Sequence, residues 1–199
     1  MAKINKDHVD KWFDYNLDID NRTIYLGSAE YDEHQNGTGV DFIMAERLIK
    51  ALHVLDKAGV DKPIFIIMNN PGGSCVDGMA IYDAIKTCRN HVTITVFGDA
   101  CSMGCVILQA ADRRVLSQHS IVMFHEGYDS YSSNHPEINR KWSKFNERYG
   151  EKINEILLEK IKEKKPDLKV KKFKELNTFD TILLANEAID LGLADEILQ

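Results

Sequence analysis

Short runs rich in Ile, Val and Phe recur along this chain, separated by longer segments whose apolar residues are spaced by three and four. That alternation restricts it to strands joined through helices, an α/β arrangement of repeated β-α units. Thr23-Ile-Tyr-Leu26 reads as the first strand, and residues 39–55 as a helix whose Phe42, Ile43, Leu48, Leu52 and Leu55 form an inward stripe. Thr38 stands where it could cap that helix. Residues 63–68 are almost continuously apolar, the pattern of a strand covered on both faces, and the run stops at Asn69-Asn70-Pro71-Gly72-Gly73. The unit then repeats, with a helix expected over 78–88, a strand over 92–97, a turn at 98–101 and a helix over 102–111. Residues 115–124 are expected to form one further strand.

The last third reads differently. From Glu137 to Lys164 the residues Ile138, Trp142, Phe145, Tyr149, Ile153, Ile156, Leu157 and Ile161 follow helical spacing in a charged background, which predicts a long amphipathic helix ending before Pro166. Segment 137–165 should project from the rest or pack separately. A short helix over 185–191 should close on Gly192 as its C-cap. At 199 residues and 44% hydrophobic content the chain can bury a real core without disulfides or a structural metal, and one domain over 1–199 is the expectation.

Charge and cysteine usage exclude several function classes. A net charge of -6 argues against binding nucleic acid through phosphate neutralisation. The eight lysines between Lys160 and Lys174 read as a solvated face. Cys75, Cys88, Cys101 and Cys105 lack the spacing of zinc ligands and read as reduced, buried residues, so no metal is expected. The start lacks the apolar stretch of a signal peptide, and no run is long enough to span a membrane, so a cytoplasmic protein is expected. The sequons at Asn21 and Asn36 carry no weight in that compartment.

Two strand-to-helix turns carry the residues that chemistry could use. Gly72 and Gly73 would let backbone amides approach a substrate and stabilise an oxyanion, although a Pro-Gly-Gly loop is by itself a common connection. Ser102 enters the second helix among small neighbours, a position that suits a cap as well as a nucleophile. His125 follows an apolar strand at the end of the sheet where such turns gather, and an imidazole there could accept a serine proton. Asp180 is the candidate to orient it, with Asp167, Asp190 and Asp195 as rivals that spacing does not separate. The order Ser, His, Asp differs from that of the α/β-hydrolases, and Ala100-Cys-Ser-Met-Gly104 is not their G-x-S-x-G elbow.

Asn70-Pro-Gly-Gly, Gly78-Met-Ala-Ile-Tyr-Asp, Gly98-Asp-Ala-Cys-Ser-Met-Gly, Met123-Phe-His and Glu187-Ala-Ile-Asp-Leu-Gly-Leu-Ala-Asp, in that order, resemble the proteolytic subunit family of the Clp protease from about Arg22 to Leu198. The resemblance implies a crotonase-like α/β fold and a serine peptidase acting on peptides or unfolded proteins without a cofactor. It further implies homo-oligomers built as heptameric rings, single or two stacked, around a chamber. Ser102 then matches the nucleophile, His125 the base, Asp180 the triad acid, and the amides of Gly73 and Met103 the oxyanion hole. Gly72 and Glu126 would border a substrate lying extended as an added strand, and 137–165 matches the handle helix through which rings meet.

The chain also departs from the family. Residues 1–21 do not resemble the axial loops that contact an AAA+ unfoldase, which argues against that partner. Glu126-Gly-Tyr-Asp-Ser replaces the usual Gln-Pro and glycines, so contacts between rings could differ. The stretch from His125 to Asp180 is longer and more charged than the family's. Two alternatives stand beside the peptidase: a catalytically silent ring subunit, and a crotonase-type acyl-CoA enzyme sharing the oxyanion-hole logic.

Overall fold

A computed structural model describes residues 6–27, 39–127 and 132–199. The Thr38 cap, the Asn36 sequon and the divergent residues 128–130 lie outside the described residues. In chain order the elements are α1 (Lys6–Tyr15), β1 (Leu17–Asp18), β2 (Thr23–Leu26), α2 (Phe42–Lys57), β3 (Ile64–Asn70), α3 (Cys75–Lys86), β4 (Val92–Cys101) and α4 (Met103–Leu108). They continue with β5 (Arg113–Leu116), β6 (Ile121–Phe124), α5 (Pro136–Lys164), α6 (Val170–Asn177), β7 (Thr181–Leu184), α7 (Ala185–Leu191) and β8 (Glu196–Ile197). The result is a mixed α/β architecture around a mostly parallel sheet. Strands β2, β3, β4, β5 and β8 lie side by side in parallel, β1 adds antiparallel to β2, and β6 carries β7 antiparallel.

The element that matters most for the site is β4, and it differs from the expectation. The segment 98–101, expected as a turn, continues the strand to Cys101. Its first half pairs with β5 through Thr93 to Val96, and its second half pairs with β6 through Asp99 to Cys101. Gly98, at φ +89°, sits where the partner changes, a backbone region in which a side chain would be strained. One long strand thus serves two neighbours.

The expected single strand over 115–124 is accordingly two. Between β5 and β6 the chain turns at Ser117–Ser120: the Ser120 amide donates to the Ser117 carbonyl at 3.0 Å, and the Ser120 hydroxyl donates to the Val96 carbonyl at 2.8 Å. The turn was hidden because its polar groups are satisfied inside the fold. Helix α4 is shorter than 102–111, leaving Ser102 outside it, and α3 begins three residues earlier than 78, capped by Ser74. In α2 the cap is Asp41, whose carboxylate accepts the Met44 amide at 2.8 Å. Starting there rotates the inward stripe to Met44, Ala45, Leu48, Ala51, Leu52 and Leu55, and Phe42 is 68% exposed. Strand β3 alternates buried and outward residues rather than being covered on both faces, with Phe65 outward.

One apolar cluster runs from β2 to the segment after α7, including Ile66, Ile94, Leu52, Ile107, Phe124 and Ala188. Helix α5 joins it only with its C-terminal half, through Leu157 and Ile161. Its N-terminal half leaves Ile138, Trp142 and Phe145 about two-fifths exposed, so 137–165, expected to project or pack separately as a whole, instead shares the main core through its second half. Helix α6, absent from the sequence reading, seats Phe173 against Phe124 with stacked rings 6.2 Å apart. Helix α7 ends as expected on Gly192, left-handed at φ +94°. No helix among the described residues is long and apolar enough to cross a membrane.

Candidate active site

Ser102 is the single residue between the end of β4 and the start of α4, and its backbone lies at φ +52°, ψ -119°. A residue with a Cβ resists that conformation by roughly 1–3 kcal/mol. Its amide donates to the Met123 carbonyl at 2.8 Å, which fastens the corner to β6. Although Ser102 occupies the capping position of α4, its hydroxyl makes no capping bond. Its Oγ lies instead 2.8 Å from Nε2 of His125.

Strand register explains how distant residues meet. Cys101 pairs with Met123, so the residues that follow β4 and β6, Ser102 and His125, emerge from neighbouring strands at one end of the sheet. Phe124 pairs with Thr181 in the antiparallel ladder of β6 and β7, which sets Asp180 across from His125. The Asp180 carboxylate Oδ1 lies 3.2 Å from Nδ1 of the largely buried His125 ring. Of the rivals, Asp195 is engaged by Arg114, whose Nη2 lies 2.5 Å from Oδ1. Burial alone would raise the Asp195 carboxyl, but hydrogen bonds from the Arg114 guanidinium and amide outweigh it and hold the group below the usual aspartate range.

The glycine loop sits against the same corner. A Cβ on Gly72, which lies at φ +104°, would stand 2.6 Å from the Ser102 Cβ and 3.2 Å from the Met103 nitrogen. Only glycine fits. The Val40 amide donates to the Gly72 carbonyl at 2.7 Å, and the Ser74 amide donates to the Val40 carbonyl at 2.8 Å. In that parallel bridge Gly73 turns its own amide away from Val40. The Met103 amide is the first of α4, where a helix leaves N–H groups without intrahelical acceptors.

Asn70, fully buried, shapes the loop and was not singled out in the sequence as a working residue. Its Oδ1 accepts the Gly72 amide at 2.9 Å, and its Nδ2 donates to the Gly27 carbonyl at 2.7 Å. An Asn two residues before a glycine, ahead of a proline, is the signal that could have found it. A second missed pair ties α5 to the segment leading to Asp180: Asn177 Nδ2 donates to Asn154 Oδ1 at 2.9 Å.

A small cleft opens beside the corner, lined by Ser102, Met103, Val106, Phe124, His125 and Glu126, with one stripe of α5 forming its far wall. Glu126 is exposed at its rim. Cys75 also lines the cleft, and two further thiols, Cys101 and Cys105, flank Ser102 in the chain. Burial, with Asp99 adding to it, pushes the Cys101 thiol up to about 11, and burial pushes Cys105 up to about 12. Among the described residues no cluster of three or more His, Cys, Asp or Glu side chains could hold a metal ion.

A family model described as Clp protease matches residues 21–199. The chain belongs to the Clp protease family. Among curated relatives, the ATP-dependent Clp protease proteolytic subunit of Deinococcus radiodurans is 29% identical over 164 residues, covering 81% of this chain and 78% of that one. The family match includes every residue of the Ser102 corner and stops short only of the first twenty residues, where the sequence already departed from the family's pattern.

Proposed function

We propose that this chain is a serine endopeptidase of the Clp type, built on a crotonase-like framework, that hydrolyses peptides or unfolded proteins inside a ring-shaped homo-oligomeric chamber. The observation that carries the reading is the 2.8 Å approach of the Ser102 Oγ to Nε2 of His125, with Asp180 3.2 Å from the ring's other nitrogen. Membership of the Clp protease family supports it, and so does the similarity to the Deinococcus proteolytic subunit.

In the reaction, Ser102 attacks the scissile carbonyl carbon while its proton passes to His125 Nε2. Asp180 keeps the ring oriented and stabilises the imidazolium. Negative charge on the carbonyl oxygen is met by the amides of Gly73 and Met103, each such donor being worth about 3 kcal/mol. His125 then gives its proton to the leaving amine, and water releases the acyl group by the same route in reverse. The substrate backbone lies extended between the Gly72 loop and the residues after β6, as an added strand, with Glu126 at its border. No cofactor or metal takes part. The protein works in the cytoplasm as a heptameric ring, single or stacked through α5, and an AAA+ unfoldase is not needed for short peptides.

The test is hydrolysis of fluorogenic peptides by the purified oligomer. Cleavage should fall by about 10³-fold or more in Ser102→Ala. Activity that survives this substitution, or a wild type that cleaves nothing, would contradict the reading; the latter is the outcome a silent subunit would give.

A further inference from the structure

Just ahead of Asp41, the cap of α2, Gly39 lies at φ +70°, a region that residues with a Cβ rarely adopt. The turn alone does not demand glycine, because asparagine also tolerates that region. Space does. A Cβ on Gly39 would collide with the Gly72 carbonyl oxygen and stand 3.5 Å from the Pro71 ring. The approach is as close from the other side, where a Cβ on Gly73 would stand 2.6 Å from the Val40 nitrogen. Two stretches of backbone, 39–40 and 72–73, are thus pressed together through glycines.

That contact fixes the direction of one peptide plane. The Gly72 carbonyl and the Gly73 amide belong to the same planar trans unit, so they point in opposite directions and turn together. Val40 donates to the Gly72 carbonyl at 2.7 Å and accepts the Ser74 amide at 2.8 Å, which commits the carbonyl to one edge and the Gly73 amide to the other. A side chain pushing on that carbonyl would tilt the whole plane and swing the amide with it. We infer that Gly39 is a positioning residue for the oxyanion hole: its missing Cβ lets Val40 hold the plane so that the Gly73 amide is aimed at the substrate carbonyl oxygen. The inference rests on the peptidase reading, in which that amide is a donor, and deepens it.

The test compares Gly39→Ala and Gly39→Asn with the wild type as full-length oligomers, using a fluorogenic peptide amide and a peptide boronic acid of the same sequence. The boronic acid takes the Ser102 Oγ onto boron as the serine proton passes to His125, giving a tetrahedral anion that draws on the oxyanion hole, as the transition state does. Both variants should lose about 100-fold in kcat, the scale of one missing oxyanion donor, with KM within about twofold of wild type. Boronate affinity should fall by a similar factor. Asparagine accepts φ +70° more readily than alanine, so Gly39→Asn should melt above Gly39→Ala and still lose as much activity, because its Cβ meets the same carbonyl. Activity that recovers in Gly39→Asn along with stability, a kcat unchanged in either variant, or failure of both to assemble would assign Gly39 to folding alone and overturn the inference, leaving the peptidase reading intact. A wild type that neither cleaves the peptide nor binds the boronic acid would overturn both.

Discussion

Ser102 is held in a left-handed backbone conformation that no serine adopts without help. Two attachments hold it there, the hydrogen bond its amide donates to the Met123 carbonyl on one side and the fit of Gly72 against its Cβ on the other. The strain is consistent with a corner shaped to present a hydroxyl rather than to save energy. Ser102→Gly, which removes both hydroxyl and strain, should therefore melt above Ser102→Ala by several degrees, because glycine tolerates φ +52° and alanine does not. A glycine variant that melts at or below the alanine variant would show that the corner is not strained. At this scale the sequence was partly legible. Small neighbours and a strand-to-helix position exposed Ser102 as a candidate, but a cap and a nucleophile look alike until the hydroxyl's partner is known. Asp180 could not be separated from Asp167, Asp190 and Asp195, because only the β6–β7 register brings it across from His125.

Elements explain why those residues converge. Strand β4 changes neighbours at Gly98, and without that change β6 would not run beside Cys101 and His125 would not reach Ser102. The polar, small residues 98–101 concealed the strand, since their ladder is satisfied by partners far along the chain. Helix α6 and strands β7 and β8 escaped notice for a related reason: each is short, and each depends on tertiary neighbours more than on its own pattern. Helix α5 was legible from end to end because its periodicity persists over eight turns. Its exposed half stacks Trp142 edge-on to Phe145 at 5.6 Å, and Phe145 on Tyr149 at 5.2 Å. Such a ladder suits contact between subunits. Charged replacements, Trp142→Glu with Phe145→Lys, should leave the fold's melting behaviour close to wild type and reduce the assembled mass in light scattering. An oligomer of unchanged mass would remove α5 from the interface.

At the scale of the whole molecule, the sheet, the Gly72 loop and α5 meet at one place. The sheet supplies Ser102, His125 and Asp180 from the ends or flanks of three strands. The loop between β3 and α3 brings Gly72 against the serine, and α5 closes the far side. The family was legible because its motifs lie at these junctions, where backbone geometry limits the residues that fit. The measurement that bears most directly on the account is labelling of the assembled protein with a fluorophosphonate, followed by intact-mass determination and peptide mapping. A single adduct per chain on Ser102, lost in His125→Ala, is the result predicted. A folded, assembled protein that takes no label at Ser102, or takes it equally well without His125, would contradict the account.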